Sequence, residues 1–247
     1  MQCSKYSANG NDFVIFHTFL KKDRSEDAKL LCHRQDGIGA DGLIVIIPHN
    51  KYDFEWQFYN SDGSEAEMCG NGSRACAHYA YTNGLALKSM SFLTLAGVIN
   101  ANVDGDMVLS ELTPPIIIDD NIIYNERKWY KLDTGVPHLV HFTKNIEEFD
   151  LLEARELRNK YNANVNIAYI DGNSLKVRTY ERGVEDETLA CGTGMAACYY
   201  KALQEKLVDG NIKVYPKSGD TLYLGINDKT ITFKGEVKII FNANMDF

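Results

Sequence analysis

One octapeptide occurs twice in this chain. Cys69-Gly70-Asn71-Gly72-Ser73-Arg74-Ala75-Cys76 matches Cys191-Gly192-Thr193-Gly194-Met195-Ala196-Ala197-Cys198 in both cysteines, both glycines and one alanine (Ala75, Ala197), about half a chain length apart. Upstream of each copy an expected strand ends in tyrosine (Tyr59, Tyr180), then a polar residue (Asn60, Glu181), then an acidic loop. Such a repeat implies two similar halves joined near Thr113-Pro114-Pro115. With 247 residues there is room for two domains of about 120.

The elements around the repeat read mostly as strands. Phe54, Trp56 and Phe58 alternate with Glu55, Gln57 and Tyr59, the period of a half-buried strand. Ile99, Ala101 and Val103 run into Asp104-Gly105, a hairpin signal, with Met107–Leu109 beyond. From Ile212 to Phe241 β-branched and aromatic residues recur between turns at Ser218-Gly219-Asp220 and Asn227-Asp228. Helices are expected over 26–34, 70–82, 147–160 and 192–207, the second stopping at Asn83-Gly84 and the last at Asp209-Gly210. The class is α+β.

Each Cys-Gly-x-Gly copy is placed where a loop enters a helix. Glycines there leave the first amide hydrogens open to a ligand. The partial positive charge of the helix start attracts an anion such as a carboxylate and favours thiolate over thiol. Cys69 and Cys191 are therefore candidate reactive thiols, while Cys76 and Cys198, two turns further on the same helix faces, are expected in the core. Two such thiols on matching halves allow one to remove a proton from a carbon while the other protonates its opposite face. Stereoinversion of this kind explains why the motif is needed twice. The two amide clusters would hold the α-carboxylate and stabilise charge developing at the carbon.

Composition narrows the classes. A net charge of −8 argues against a nucleic-acid partner. No apolar run approaches the roughly 18 residues of a membrane span, and the first fifteen residues hold no signal-peptide core. A reducing cytoplasm is the expected location, where six cysteines default to thiols. Metal ligation is not expected, because the pairs are Cys-x6-Cys rather than Cys-x-x-Cys. Gly37-Ile38-Gly39-Ala40-Asp41-Gly42 matches G-x-G-x-x-G, but a helical stretch precedes it and a strand follows, the reverse of a dinucleotide site.

Taken together, the blocks Gly10-Asn11-Asp12-Phe13, Gly37-Ile38-Gly39-Ala40-Asp41, Asn60 with Asp62-Gly63-Ser64-Glu65, Met68–Gly72, Gly135-Val136-Pro137-His138, Val165-Asn166 and Tyr180-Glu181-Arg182-Gly183 resemble, in order, the diaminopimelate epimerase family of cofactor-independent racemases. The block Glu187–Gly194 completes the series. The resemblance implies two pseudo-symmetric domains, each a β-barrel-like sheet round a central helix, with the active site in the cleft between them. It implies a division into 1–113 plus 236–247 and 114–235, the last strand returning to the first half. It further implies interconversion of LL- and meso-diaminopimelate, no cofactor, and a homodimer. Cys69 and Cys191 become the acid–base pair, with His138 and Glu181 beside them tuning protonation. Asn11, Asn60, Asn166, Glu181 and Arg182 become substrate contacts, Arg182 suiting a carboxylate through its planar fork. The backbones of Gly70-Asn71 and Gly192-Thr193 take the reacting carboxylate.

Three departures from the family pattern stand out. Gly42 replaces a frequent glutamine, Val136 replaces a frequent asparagine, and Gly183–Thr188 is one residue longer with no second glycine. The alternatives are a proline or hydroxyproline racemase or epimerase of the same group, in which His usually stands at the place of Asn71, and a cysteine-based redox protein. Asn71, the Asn60 block and Arg182 favour a substrate with a second charged end.

Overall fold

The computed structural model describes residues 2–227 and 230–244. The chain divides into two compact units, Met1–Glu111 with Lys234–Phe247, and Leu112–Phe233. These limits lie two residues from those read off the sequence. The amide of Leu112 donates to the Ile231 carbonyl, which ties that residue to the second unit.

In the first unit the order is β1 (Gln2–Ala8), β2 (Asn11–His17), α1 (Ser25–Cys32), β3 (Gly42–Ile47), β4 (Phe54–Asn60), α2 (Gly70–Thr82), β5 (Ser89–Thr94), β6 (Gly97–Asp104) and β7 (Met107–Glu111). The second unit runs β8 (Ile116–Tyr124), β9 (Arg127–Asp133), β10 (Pro137–Thr143), α3 (Leu151–Tyr161), β11 (Asn164–Ile170), β12 (Ser174–Glu181), β13 (Asp186–Thr188), α4 (Gly192–Gln204), β14 (Ile212–Tyr215) and β15 (Leu222–Asn227). Then come β16 (Thr230–Glu236) and β17 (Lys238–Asn244), the latter pairing with β1. Asp228 of the turn read at Asn227-Asp228, and residues 245–247 of the returning segment, lie outside the described residues.

Strand pairing repeats from one unit to the other. In the first, β1–β2 is antiparallel, β2–β3 parallel across α1, β3–β4 antiparallel, β4–β5 parallel across α2, and β5–β6 antiparallel. In the second, β9–β10, β10–β11, β11–β12, β12–β14 and β14–β15 follow the same series, with α3 and α4 as the crossovers. Duplication is thus visible in topology as well as sequence. The fold is α+β, sheet-dominated, and built of two like halves.

Each repeated octapeptide opens a helix of 13 residues. From Gly70 to Ala80 every residue of α2 is buried, and α4 is buried nearly all round. A helix buried on every side needs cover on every side, and strands supply it. Ala75, Cys76, Ala77, Tyr79 and Ala80 of α2 pack into one core with residues of β1 to β6. Cys76 and Cys198 are both fully buried, as expected.

Local chemistry sets several boundaries differently from the sequence reading. Strand β4 is buried on both faces rather than one, because α1 covers Tyr59 with Val45 and Leu43 while α2 covers Phe54, Trp56 and Phe58. The third expected helix breaks in two. Ile146–Glu148 forms a single 3-10 turn, and α3 restarts where the Asp150 carboxylate accepts from the amides of Leu152 (2.7 Å) and Glu153 (3.3 Å). Helix α4 stops at Gln204, with Lys206 in the left-handed region, short of Asp209-Gly210. The turn at the start of the chain is Asn9-Gly10, both at positive φ as a two-residue hairpin demands, so Asn11 is already the first residue of β2.

Candidate active site

Both repeated cysteines occupy the N-cap of their helix. Cys69 has extended backbone (φ −145°), and its Sγ accepts from the Gly72 amide at 3.4 Å. Cys191 is likewise extended (φ −120°), 7% exposed, with its Sγ 3.6 Å from Thr193 Oγ1. Gly70, Asn71, Gly192 and Thr193 follow directly, so their amides are among those a helix leaves without an internal acceptor. Each unit therefore has a thiol beside a pair of backbone donors to which the helix itself supplies no acceptor.

Around Cys69 the polar groups form an ionic lattice. Asn11 Oδ1 lies 3.6 Å from Cys69 Sγ, and Asn11 Nδ2 donates to Asp41 at 2.6 Å. Arg34 bridges Asp12 through two bonds of 3.1 Å and Asp41 through one of 2.7 Å. Buried Lys5 closes the lattice from below, 2.7 Å from Asp12 and bonded to the Gly39 carbonyl. Burial pushes the Asp12 carboxyl up, but the hydrogen bonds from Arg34 and Lys5 outweigh it and hold it below its ordinary value. Asp12, Asp41, Lys5 and Arg34 had no role in the sequence reading, although two of its motif blocks contain the acids.

Asn60 is exposed at the end of β4, its Nδ2 donating to Ser64 within the acidic loop. The Asn71 side chain turns inward: it is 2% exposed, and its Oδ1 accepts from Arg74 at 2.6 Å. It braces the helix, so the sequence argument that used Asn71 to choose a doubly charged substrate has no side-chain contact behind it. Gly42 is forced by packing. A Cβ there would lie 2.6 Å from the Phe58 ring and 2.8 Å from the Tyr59 carbonyl, leaving no room for the family's glutamine.

The second unit is organised by register. His138 pairs with Asn164 across β10–β11, and the next pair along β11–β12, Val165 with Tyr180, sets Asn164 level with Glu181. The row is completed by Arg182, whose amide donates to Asn164 Oδ1 at 2.8 Å and whose guanidinium donates to the Asn162 carbonyl at 3.2 Å. Asn164 Nδ2 donates to the Pro137 carbonyl at 3.2 Å. Asn166, the residue expected to touch substrate, instead sits one pleat deeper and is 0% exposed. Its Nδ2 donates to the Leu139 carbonyl (2.8 Å) and meets His138 Nδ1 (3.1 Å), while its Oδ1 accepts from Thr179 (2.8 Å). Asn164 is the asparagine in the row with His138 and Glu181. The sequence offered a signal in Asn164-Val165-Asn166, two asparagines on one strand, but no means of choosing between them.

His138 is fully buried, and its Nε2 lies 2.9 Å from Thr193 Oγ1. Burial, reinforced by the Arg182 charge, pulls its pKa down to about 3, so the ring is neutral at neutral pH. Thr134, also fully buried, donates its hydroxyl to the Thr193 carbonyl at 3.0 Å and fixes the start of α4 from the other side. The longer loop before Cys191 is absorbed in a hairpin tip. Glu185 takes the left-handed conformation (φ 61°), its carboxylate held by Arg158 at 2.6 Å and by the Gly183 amide at 3.0 Å. Those two contacts support a backbone shape that a glycine adopts without help.

Among the described residues no group of three or more His, Cys, Asp or Glu is arranged to hold a metal ion. Among the same residues no helix is long and apolar enough to cross a membrane.

The sequence model of diaminopimelate epimerase matches residues 3–118 and 130–240. The chain belongs to the diaminopimelate epimerase family. It is 64% identical over 244 residues to the diaminopimelate epimerase of a Nitratiruptor species, covering 98% of each chain. To that of Campylobacter lari it is 53% identical over 248 residues, covering 100% of both. To that of Helicobacter pylori it is 43% identical, covering 96% of this chain and 93% of the relative. Among solved structures, a probable proline racemase from Agrobacterium radiobacter aligns with TM-score 0.78 at 13% identity, over 99% of this chain and 92% of its own. A phenazine biosynthesis protein of the PhzF family from Bacillus anthracis aligns with TM-score 0.76 at 16% identity, over 100% and 99%. These last two share the fold. The likeness to diaminopimelate epimerases is in sequence, over nearly the whole chain.

Proposed function

We propose that this chain is an isomerase that interconverts LL- and meso-diaminopimelate by transferring the α-proton between two thiols. The observation that carries the reading is the paired cap geometry, one cysteine heading each of two equivalent helices, in a chain 64% identical to a diaminopimelate epimerase over nearly its whole length. One thiolate removes the α-proton, and its sulfur becomes a thiol. The electron pair left on carbon delocalises into the carboxylate, which the amides at a helix start stabilise. The other thiol delivers its proton to the opposite face and becomes the thiolate. The roles of Cys69 and Cys191 exchange with direction.

Asn11, Asn60, Asn164, Glu181 and Arg182 are the side chains proposed to hold the rest of the substrate, Arg182 taking the distal carboxylate. His138 acts beside Cys191 through Thr193. The reaction as written draws on no cofactor. A cytoplasmic location, placement in lysine and cell-wall precursor synthesis, and a homodimeric state belong to the same reading.

The test is incubation with LL-diaminopimelate, and separately with L-proline, in deuterated water. Incorporation of deuterium at an α-carbon of diaminopimelate together with appearance of the meso isomer is the expected result. Exchange into proline with none into diaminopimelate overturns the reading in favour of a proline-type racemase.

A further inference from the structure

Around the two sulfurs the directions of several hydrogen bonds follow from groups that have only one option. In the second unit the Leu139 carbonyl can only accept, so the Asn166 amide must turn its NH2 towards it, and its Oδ1 towards the Thr179 hydroxyl. That NH2 also faces His138 Nδ1 at 3.1 Å, whereas the Asn164 NH2, already given to the Pro137 carbonyl, lies 3.5 Å from Nε2; the closer donor assigns Nδ1 as the unprotonated nitrogen of the neutral ring. The ring proton then sits on Nε2 and is donated to Thr193 Oγ1. With its oxygen accepting from the histidine, the Thr193 hydroxyl has its own hydrogen to give to Cys191 Sγ, 3.6 Å away. In the first unit the chain of constraint ends with the opposite sign. The Asp41 carboxylate can only accept, so Asn11 turns its NH2 to Asp41 and its Oδ1 to Cys69. An amide oxygen beside a sulfur calls for an S–H donor. The Gly72 amide donating to Cys69 Sγ is compatible with a thiol, which accepts as well as donates, so what separates the two sulfurs is the Asn11 oxygen, which opposes a thiolate, against the Thr193 hydroxyl, which can turn its hydrogen to one.

We infer that the unliganded enzyme rests with Cys191 as the thiolate and Cys69 as the thiol, and that Asn166, buried and out of reach of substrate, is a positioning residue that sets this asymmetry through the His138 tautomer and the Thr193 hydroxyl. The inference rests on reading these cysteines as the acid–base pair, but its test reads protonation rather than turnover, so the two fail separately.

The test measures the ultraviolet thiolate band at neutral pH, taken as the absorbance lost on alkylation, in Cys69→Ala and in Cys191→Ala. Cys69→Ala is expected to keep the band and Cys191→Ala to lose most of it. In the Cys69→Ala background, Thr193→Val is expected to reduce the band severalfold and Thr193→Ser to restore it. Asn166→Leu should act as Thr193→Val does where it folds, and the threonine pair carries the test where it does not. A band that survives in Cys191→Ala at the strength seen in Cys69→Ala, a band absent from both, or a band unaffected by Thr193→Val overturns the assignment. Loss of deuterium exchange with the thiolate pattern intact would count against the proposed substrate only.

Discussion

The two halves keep the same scaffold and support their cysteines by different physics. Strand for strand, Phe13, Gly42 and Asn60 in the first unit stand where His138, Asn164 and Glu181 stand in the second. One pleat deeper, Ile44 opposite Phe58 corresponds to Asn166 opposite Thr179. The first unit thus has an apolar floor beneath its helix start, and its polar order comes from the exposed side, through Arg34, Asp12 and Asp41. The second has a polar floor, fully bonded and sealed from water. A duplicated topology preserves where the helix begins and which residue caps it. It leaves the surrounding side chains free to diverge, and here they present an acceptor to one sulfur and a hydroxyl to the other.

The largest expected difference comes from the thiols themselves. Cys69→Ala and Cys191→Ala should each lower epimerisation by about a thousandfold or more, with the circular dichroism spectrum unchanged. Appreciable turnover in either variant would mean the halves do not share the chemistry.

Next come the matched glycines. A Cβ on Gly194 would land on Asn166 Oδ1 with Thr179 Oγ1 at 3.2 Å, whereas one on Gly72 would meet Cys69 Cβ at 3.3 Å and the Ile44 methyl at 3.4 Å. Gly194→Ala should therefore cost about 1–3 kcal/mol by urea denaturation. Gly72→Ala should stay within about 1 kcal/mol of wild type, because helix propensity offsets mild crowding. Equal effects would erase the distinction between the polar and apolar floors.

Acid should separate the halves too. His138 has a folded pKa below its unfolded value, so the unfolded chain binds a proton first as pH falls. Its neutral form contributes no penalty above about pH 6.5, and stability is lost progressively from there towards pH 3. Between pH 6.5 and 5 the loss from this one group is about 2 kcal/mol. His138→Gln should flatten that part of the stability–pH curve, and an unchanged slope would show the ring to be accessible to protons.

The smallest effect is expected at Asp41. Its side chain is 43% exposed, so Asp41→Ala should change stability by less than about 1 kcal/mol. Asn11 loses its orienting partner, and kcat/KM should fall by roughly tenfold, about 1.4 kcal/mol of transition-state stabilisation.

Much of this was legible in the sequence because it depends on local rules. Two octapeptides with glycines at matching places announced two helix starts, and Asn83-Gly84 announced where the first ends. Helix ends governed by a single carboxylate or a left-handed lysine, at Asp150 and Lys206, were not legible, since many residues could have played either part. Nor was the difference between Asn164 and Asn166. Alternation says that residues two apart share a face of the sheet, but how far along a strand the water reaches depends on the helix laid across it. The Asp12–Arg34–Asp41 lattice was hidden for a related reason. Its members come from three separate segments, and only folding makes them neighbours.

The pairing of β1 with β17, Gln2 opposite Asn244, has a consequence for how the molecule is made. On the ribosome the first unit emerges with its leading strand paired on one side only, and the strand that closes the other side is the last of the described chain to appear. The second unit is contiguous and complete before that happens. Order of synthesis therefore runs opposite to order of completion: the half begun first is closed only after the other, and until β17 emerges its leading edge is open to strands of neighbouring chains.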